Sequence, residues 1–436
     1  MSYHWHESHA SVVSVFSCQA VKHKSIMLVA GDPSGDWLAA ELVRALREEI
    51  TNAEALPTWD YQPLRASLEP HFFGAGGSHM SAAGVELAFD LTAHSVMGLW
   101  EPIKNLAKFR RFLLQLHGLA VQKEPDAIIF VDFSGFNLRL AHAIKTRVRR
   151  HLDWFHDWNP KLIQFVSPQV WASRAGRANQ LARDHDLLLS IFPFEKEWYA
   201  RRVPELKVEF VGHPMLDRYS GIDCHRPLDA QVNNRPTVLL LPGSRPSELA
   251  RHIPVINGAL ARLRASLPEL HARLVLPNQE RLNQAKGMEL DRSIELQIGE
   301  LPQALKLADV ALACSGTVTM ECALCGVPAV VFYKTSWLNY EVAKRIATVQ
   351  FLAMPNLLAK EQIFPEFIQG AATPENVANA ALELLRDEPR RQRIKAKLAE
   401  IIASLGGPGA SRRAAKAVAR LLEPRLCEAP VPAASA

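Results

Sequence analysis

Two short segments in the second half of the chain carry residues that could bind a diphosphate. Gly243-Ser244-Arg245 follows the apolar run 237–241 and could bring backbone N–H groups, a hydroxyl and a guanidinium to one point. Ser315-Gly316-Thr317 follows the apolar run 310–314 and begins a helical pattern. A helix N-terminus attracts phosphate through its free N–H groups and its dipole, and a guanidinium can bind two phosphate oxygens. Two such turns on neighbouring strands predict a pyrophosphate site, as for a nucleotide sugar.

Two aspartates in the first half could act on a proton. Asp132 is the next-to-last residue of the run AIIFVDF (127–133), beside a Gly/Asn turn, and Asp32 follows the run SIMLVA and precedes Ser34-Gly35-Asp36. A carboxylate at the end of a buried strand could serve as a general base at a cleft. Each also has a structural interpretation, because Asp132 could cap the following helix and Asp32 could form an Asx-turn or an N-cap. For Asp36 we expect that structural role.

The elements that must position these residues alternate along nearly the whole chain. Apolar, β-branched runs followed by helical patterns predict parallel sheets covered by helices on both faces. In such α/β sheets, ligands bind at the carboxyl ends of the strands. The predicted parts are an N-terminal extension (1–24), a first α/β domain (25–220), a polar linker (221–236), a second α/β domain (237–404), a closing helix (405–423) and a disordered tail (424–436).

Composition narrows the class of protein. The 436 residues include 50 Lys and Arg against 45 Asp and Glu, a mildly basic balance that does not indicate a nucleic-acid partner. Cys322 and Cys325 form a C-x-x-C inside an apolar helix without a second ligand pair, and we interpret them as buried small residues in a reducing cytosol. No His, Asp or Glu cluster has metal-ligand spacing, so we expect no metal and no other cofactor. The pattern indicates neither a signal peptide nor a transmembrane helix.

The segment 99–117 predicts an amphipathic helix with two distinct faces. Its apolar face holds Leu106, Phe109, Leu113 and Leu116, and its cationic face holds Lys104, Lys108 and Arg111. Two interpretations remain open. The helix could pack on its own core, or it could rest on anionic lipid as an interfacial helix does.

Ten short motifs, in order, resemble those of the lipid-A-disaccharide synthase family, whose members have the GT-B glycosyltransferase fold. The motifs are AGDPSGD (30–36), GAGGSHMSAAG (74–84), SVMG (95–98), VDFSGFN (131–137), SPQVWASR (167–174), FPFE (192–195), VGHP (211–214), LPGSRPSE (241–248), CSGTVTMECALCGVP (314–328) and MPNLLAKEQIFPEFIQ (354–369). The resemblance implies two Rossmann-like parallel-sheet domains that face a cleft.

The family joins two acylated glucosamines with inversion. The resemblance implies UDP-2,3-diacylglucosamine as donor and 2,3-diacylglucosamine 1-phosphate as acceptor, with UDP and the β-1,6-linked lipid A disaccharide phosphate as products. The first domain would then bind the acceptor and the second the donor. Asp132 would be the base, and Asp32 would be an acceptor-site or catalytic residue. The resemblance also implies a cytoplasmic location with peripheral association at the inner face of the inner membrane, and it hints at a homodimer.

Further donor-site residues are implied by the same resemblance. Asn356 stands in the MPN segment, which we expect to be a loop where the family has a functional asparagine; it could also be a simple turn residue. Glu321, Glu366 and Gln369 compete for the ribose hydroxyls. His213 could be a hinge residue or could face the cleft. Arg245 is expected to bind the diphosphate.

The departures from the family pattern lie in the first half. Asp32 replaces the family's glutamate, and Gln169 and Ser173 alter the SPQVWASR motif. Rival interpretations are another GT-B enzyme that uses UDP-N-acetylglucosamine and a non-catalytic lipid-sugar-binding relative. A dinucleotide oxidoreductase is disfavoured because AGDPSGD stands where G-x-G-x-x-G would be required.

Overall fold

A computed structural model provides the structure of the protein. It describes residues 24–53, 69–94, 102–151, 157–223 and 235–423, with only the backbone at 102–106. The proposed N-terminal extension up to residue 23, the SVMG motif, most of the linker 221–236 and the tail 424–436 lie outside the described residues.

The first domain is built on a parallel sheet of seven strands in the order β3-β2-β1-β4-β5-β6-β7. The strands are β1 (Ser25–Ala30), β2 (His71–Gly76), β3 (Glu86–Asp90), β4 (Ala127–Val131), β5 (Lys161–Phe165), β6 (Leu187–Ser190) and β7 (Val208–Phe210). The helices are α1 (Pro33–Ala53), α2 (Ser78–Ala82), α3 (Pro102–Lys123), α4 (Ser134–His151), α5 (Arg177–Asp184), α6 (Pro193–Ala200) and α7 (Met215–Arg218), with 3₁₀ turns at Thr92–His94 and Val170–Ala172.

The second domain is built on a parallel sheet of six strands in the order β10-β9-β8-β11-β12-β13. The strands are β8 (Thr237–Leu241), β9 (His271–Leu276), β10 (Glu295–Ile298), β11 (Val310–Cys314), β12 (Ala329–Tyr333) and β13 (Glu366–Ile368). The helices are α8 (Pro246–Ser266), α9 (Gln279–Lys286), α10 (Leu301–Leu307), α11 (Thr317–Leu324), α12 (Trp337–Ile346), α13 (Met354–Ala359), α14 (Pro374–Arg386), α15 (Glu388–Ser404) and α16 (Ala410–Leu422), with a 3₁₀ turn at Gln369–Ala371.

The strands β4 and β11 are apolar along their whole length because helices cover both faces of each sheet. Every residue of β4 is buried, and so is every residue of β11. In the first domain, alternate residues of β1 enter different cores: Ile26 and Leu28 pack on one side of the sheet, and Met27 and Val29 pack on the other. The predicted α/β class, with two Rossmann-like domains, is confirmed.

The closing helix α16 belongs to the first domain by its contacts, although it follows the second domain in sequence. Ala414 and Val418 are fully buried in the core that contains β1 and α1. Asp217 accepts hydrogen bonds from the N–H groups of Gly409, Ala410 and Ser411, and so caps the start of α16. The chain therefore passes between the domains twice.

The carboxyl edges of the two sheets face each other. Ile191 and Phe192, which follow β6, pack in one cluster with Met320 of α11. Thr348, which follows α12, donates its backbone N–H to Ala172 O at 2.9 Å and its hydroxyl to Trp171 O at 2.9 Å. The loops that carry the candidate residues therefore meet between the domains, at the predicted cleft.

No helix in the described part of the chain is long and apolar enough to cross a membrane.

Candidate active site

The candidate residues occupy the same topological position in both sheets. Strand order reverses direction between β1 and β4 in the first sheet and between β8 and β11 in the second. In an open α/β sheet, the crevice that receives a ligand lies beyond the carboxyl ends of such a strand pair. Asp32 and Asp132 follow the first pair of strands, and the segments Gly243–Arg245 and Ser315–Thr317 follow the second.

Asp132 lies in a backbone conformation that few non-glycine residues adopt. Its φ is +48°, and that of Phe133 is +40°. The Asp132 carbonyl accepts hydrogen bonds from Asn137 Nδ2 at 2.9 Å and Gln164 Nε2 at 3.2 Å, and its N–H donates to Phe165 O at 2.9 Å. Left-handed conformations of this kind persist where neighbouring groups fix them, often at functional sites. Here two side-chain amides fix the turn that presents the carboxyl group.

The Asp132 carboxyl group has a perturbed pKa. Burial, and after it the negative charge of Asp32, raise this pKa from 3.8 to about 6, although a hydrogen bond from the Phe133 backbone opposes the rise. A general base is most effective when its pKa lies near the working pH. The structure therefore places a carboxylate with the properties of a base next to a second carboxylate.

Asp32 and Asp36 both cap helices. Asp32 Oδ1 accepts the N–H of Gly35 at 2.6 Å, in the first turn of α1. The buried Asp36 accepts the N–H groups of Gly77, His79 and Met80, which start α2. Asp36 therefore has a structural role, but from within α1 it caps α2 instead of forming the expected local turn or N-cap, whereas Asp32 combines a cap with its position beside Asp132.

The N–H groups of the Gly243–Arg245 turn converge on a carboxylate of the protein itself. Glu248 Oε2 accepts the N–H of Ser244 at 3.1 Å and of Arg245 at 3.2 Å, and Glu248 Oε1 accepts from Arg245 Nη1 at 3.0 Å. Gly243, with φ +110°, allows this approach, because a Cβ there would lie 2.4 Å from Glu248 Oε2. The Arg245 side chain remains 64% exposed and therefore accessible to a ligand.

Two further side chains hold this turn, and the sequence interpretation missed them together with Glu248. Arg281, almost fully buried, donates from Nε to Ser244 O at 3.1 Å. His252 is fully buried and pairs Nδ1 with Pro242 O at 2.7 Å, while its Nε2 accepts the N–H of Lys334 at 2.9 Å. Burial lowers the pKa of His252, which fits a neutral ring that joins the loops after β8 and β12. Of these three residues, only Glu248 could have been identified from the sequence. With Pro246 at the first helical position N1, Glu248 stands at N3, where a glutamate typically accepts backbone N–H groups at the start of a helix.

The second predicted anion-binding turn starts α11. Gly316 and Thr317 are exposed, and no side chain caps the helix there. Ser315 donates its hydroxyl to Leu352 O at 3.3 Å. Because β8 and β11 pair directly, this helix N-terminus and the Gly243–Arg245 turn lie at neighbouring strand ends, as the sequence predicted.

Asn356 and Glu366 bind each other and the backbone. The prediction that Asn356 lies in a loop is wrong: it is in α13, fully buried, with Nδ2 donating to Glu366 Oε1 at 2.7 Å and Phe364 O at 2.8 Å. Its Oδ1 accepts from the N–H groups of Ile363 and Phe364. Glu366 also accepts the N–H of Ala353 at 2.8 Å and so caps α13. These hydrogen bonds fold the segment that follows α13 back toward β12.

The remaining predicted residues lie at the edges of this site. Gln369, with φ +55°, binds Thr335 through both ends of its amide. The buried Glu321 of α11 accepts a hydrogen bond from Tyr219 Oη at 3.1 Å, and burial raises its pKa. His213 is buried, accepts the Met215 N–H and has its pKa lowered to about 4 by burial. His213 therefore lies at the crossing between the domains and caps α7.

Trp171 of the SPQVWASR motif is bound by a buried carboxyl group of its own domain and by the second domain. Glu195 is fully buried and accepts a hydrogen bond from Trp171 Nε1 at 2.9 Å. Burial raises the pKa of Glu195 to about 7, although hydrogen bonds from Trp171 and other groups oppose the rise. The Trp171 carbonyl in turn accepts from Thr348 of the second domain. The SPQVWASR motif is therefore held from both domains.

The fold and the paired switch-point loops define the class of two-domain GT-B glycosyltransferases and epimerases. A solved UDP-N-acetylglucosamine 2-epimerase from Listeria monocytogenes is similar with TM-score 0.55 at 15% identity, covering 91% of this chain and 96% of that chain. The glycotransferase of kitacinnamycin is similar with TM-score 0.55 at 19% identity, covering 92% of this chain and 100% of that chain. At such identities the likeness establishes the fold alone.

Residues 26–421 match the family described as lipid-A-disaccharide synthetase, and the chain belongs to that family. It is 35% identical over 400 residues to the lipid-A-disaccharide synthase of Anaeromyxobacter sp. (strain K), covering 90% of this chain and 96% of the relative. It is 34% identical over 404 residues to the lipid-A-disaccharide synthase of Myxococcus xanthus (strain DK1622), covering 92% and 98%. The family resemblance stated from the ten motifs is confirmed.

Proposed function

We propose that this chain catalyses the reaction for which its family is named. In that reaction the 6-hydroxyl of 2,3-diacylglucosamine 1-phosphate attacks the anomeric carbon of UDP-2,3-diacylglucosamine. The new C–O bond forms as the bond to UDP breaks, and the hydroxyl proton passes to a base. Family membership along nearly the whole chain supports this function.

Asp132 is the proposed base. Its carboxyl group lies at the switch point of the first sheet, where the turn is fixed by Asn137 and Gln164. With a pKa raised to about 6, it is ionised at neutral pH and still basic enough to accept the proton. Asp32, whose charge contributes to that raised pKa, is proposed to orient the acceptor.

The donor diphosphate is proposed to bind at the switch point of the second sheet. Arg245 has an exposed guanidinium that can bridge two phosphate oxygens. The uncapped N-terminus of α11, with Gly316 and Thr317, adds N–H groups and a dipole for the same charge. Stabilisation of the departing UDP is then electrostatic.

The uridine side is proposed to depend on the folded 354–369 segment. Asn356 and Glu366 have their polar atoms engaged within the protein. Because Asn356 is also fully buried, it serves by shaping the segment. The half-buried Glu366 and Gln369, together with Glu321, stay as proposed contacts for the ribose. A ribose hydroxyl that binds Glu321 would share that carboxylate with Tyr219.

The single observation that carries this proposal is the pairing of Asp132 and Arg245 at equivalent switch points of two sheets whose carboxyl edges meet. The test is incubation of the purified chain with both acylated substrates in detergent, followed by detection of UDP and disaccharide 1-phosphate. UDP release without disaccharide would indicate hydrolysis. Turnover of UDP-N-acetylglucosamine alone would support the rival epimerase interpretation.

We further propose that the cationic face of α3 rests on anionic lipid. Phe112 and Leu116 of α3 are buried in the first core, which satisfies the core-helix interpretation for one face. Arg111 is exposed on the other face. The Lys108 ammonium lies 5.9 Å from the Phe112 ring centroid, and the side chain of Lys104 is outside the described part. The same helix can therefore pack on the core with one face and contact anionic lipid with the other.

Charge reversal tests this membrane contact. Replacing Lys104, Lys108 and Arg111 with Glu should reduce sedimentation with anionic vesicles, and high salt should do the same to the unchanged protein. Activity on detergent-dispersed substrate should change little. The matched control reverses three exposed cations of the second domain, Arg262, Lys286 and Arg292. If both variants lose vesicle binding equally, the loss reflects the net charge of the protein and not a contact made by α3.

A further inference from the structure

Helix α12 has its polarity reversed. A surface helix normally turns its apolar stripe to the core and its polar residues to water. In α12 no residue is fully buried, and the half-buried positions are polar: Asn339, Tyr340 and Glu341. The outward positions carry the large apolar side chains Trp337, Leu338, Val342 and Ile346, of which Trp337 is 71% exposed and Val342 is 51% exposed.

The outward residues form one continuous strip. Leu338, Val342 and Ile346 recur at intervals of four, so they stack along one side of the helix. Exposed large apolar side chains are otherwise scattered singly over the described surface, at positions such as Ile298 and Leu307. A concentrated apolar strip marks an interaction surface far more often than single exposed residues do.

This strip borders the candidate donor site and reaches the first domain. The helix follows β12, and Thr348, just past its end, binds Trp171 and Ala172. Leu352, six residues past the end of the helix, is also an exposed apolar residue, and its carbonyl accepts the hydroxyl of Ser315. The helix is therefore joined by a short segment to the candidate donor site and to the first domain.

The charged residues beside the strip indicate which kind of partner would bind it. Lys344 and Arg345 are exposed, and neither makes an ion pair with a described residue. Arg345 is three residues from Val342 and so flanks the strip directly. Cations beside an apolar face with an outer Trp are typical of helices that lie at an anionic lipid surface.

We propose that α12 is a lipid-contact surface, on which the strip Leu338–Val342–Ile346 and Trp337 enter the interface of an anionic bilayer. The inference rests on the proposed function, because acylated substrates would then leave the bilayer beside the donor site. A second copy of the chain fits less well. The strip of a ten-residue helix is only about 15 Å long, which is short for a stable interface of about 800 Å² per partner. A twofold contact would also bring the same cations together.

The test compares vesicle binding of two variants of the full chain. The first carries Leu338→Gln, Val342→Gln and Ile346→Gln, since Gln is polar and retains helix propensity. The matched control carries Ile298→Gln and Leu307→Gln, two apolar residues of similar exposure elsewhere in the second domain. On vesicles of phosphatidylcholine with phosphatidylglycerol, the partition coefficient of the strip variant should fall about tenfold or more, while the control stays near wild type. Lys344→Glu with Arg345→Glu should weaken binding only when phosphatidylglycerol is present.

Contact depth supplies a second readout. Brominated lipids should quench wild-type fluorescence more than that of Trp337→Phe, because Trp337 would lie in the interface. The proposal is overturned if the strip variant binds vesicles as the wild type does. It is also overturned if brominated lipids quench the fluorescence of the wild type and of Trp337→Phe equally. A change of molar mass by light scattering in the strip variant overturns it in favour of a second copy.

The two proposals fail separately. On monodisperse substrate in detergent, the strip variant should keep wild-type kcat/KM, while activity on vesicle-embedded substrate falls several-fold. A loss in detergent that grows with acyl-chain length assigns the strip to the substrate's own chains and overturns bilayer contact. A wild-type chain that binds vesicles through α12 but forms no disaccharide leaves the lipid contact standing and refutes the proposed reaction.

Discussion

The two switch points have the same topology and opposite chemistry. Beyond β1 and β4 the loops present two carboxyl groups, and the proximity of Asp32 contributes to the raised pKa of Asp132. Beyond β8 and β11 the loops present a guanidinium and N–H groups, and Glu248 binds both within the protein. The first switch point therefore concentrates negative charge, whereas at the second the negative charge of Glu248 is paired with Arg245 and with backbone N–H groups. The fold supplies a crevice twice, and the loop residues decide whether it accepts a proton or stabilises an anion.

The largest expected effect comes from removing the proton acceptor. Asp132→Asn should lower kcat by about a hundredfold to ten-thousandfold, because the amide cannot take the hydroxyl proton. Asparagine keeps the size of the side chain, so donor binding and folding should persist. The measurement is steady-state kinetics with both substrates varied.

Asp32→Asn is the matched control for that experiment. It should weaken acceptor affinity with a smaller loss of kcat, since Asn Oδ1 can still accept the Gly35 N–H. If Asp32→Asn abolishes turnover while Asp132→Asn merely raises the acceptor KM, the two roles are reversed. If neither variant is slower, the base lies elsewhere.

Removing the cation at the second switch point should have the next largest effect. Arg245→Ala should cost on the order of 3 kcal/mol in transition-state stabilisation, or about a hundredfold in rate. The protein should remain folded, because the side chain is largely exposed. UDP binding by calorimetry should weaken in parallel. Arg262→Ala, at an exposed position of the helix α8 that follows Arg245, is the control, and near-normal UDP affinity in Arg245→Ala would contradict the assignment.

A smaller effect tests the coupling between the two aspartates. As the base, Asp132 must be ionised, so kcat/KM of the wild type should fall as pH drops through about 6. Removing the charge of Asp32 lowers the pKa of Asp132, so Asp32→Asn should move this acidic limb to lower pH. A pH profile of kcat/KM for both proteins measures the shift. If the acidic limb of the kcat/KM profile stays at the same pH in Asp32→Asn, a group other than Asp132 controls it.

The smallest predicted effect is on stability. The folded-state pKa of Asp132 is about 6, above its ordinary 3.8, so the protonated form stabilises the fold and that stabilisation is lost as pH rises through 6. Asparagine is neutral throughout. Asp132→Asn should therefore raise Tm at pH 8 by a few degrees, and the gain should largely vanish between about pH 6 and pH 4. A Tm difference independent of pH would show that Asp132 is not the titrating group.

Much of the fold was readable from the sequence because buried parallel strands are apolar runs. β1, β8 and β11 coincide with the apolar runs SIMLVA, 237–241 and 310–314. The edge strands β3 and β13 were missed: β3 alternates polar and apolar residues with no buried position, and β13 has three half-buried residues. Short, half-exposed edges leave little signal in a single sequence.

Site residues that directly follow a strand could be predicted from the sequence. Hydrogen bonds between residues distant in the sequence could not. Asp32, Asp132 and Arg245 follow apolar runs directly. The pairing of Asn356 with Glu366, and that of Glu321 with Tyr219, depends on how loops from separate elements fold together. No local pattern encodes those distances.

The return of α16 to the first domain sets an order of events during synthesis. The core built on β1 and α1 is completed by Ala414 and Val418, which leave the ribosome after the entire second domain. Until then, the apolar surface of α1 that α16 covers has no partner within its own domain. A nascent chain that lacks α16 would therefore expose this apolar surface, and transiently exposed apolar surface promotes aggregation. Cutting the chain at 221–236 would therefore yield a first domain without its last helix, rather than two independent units.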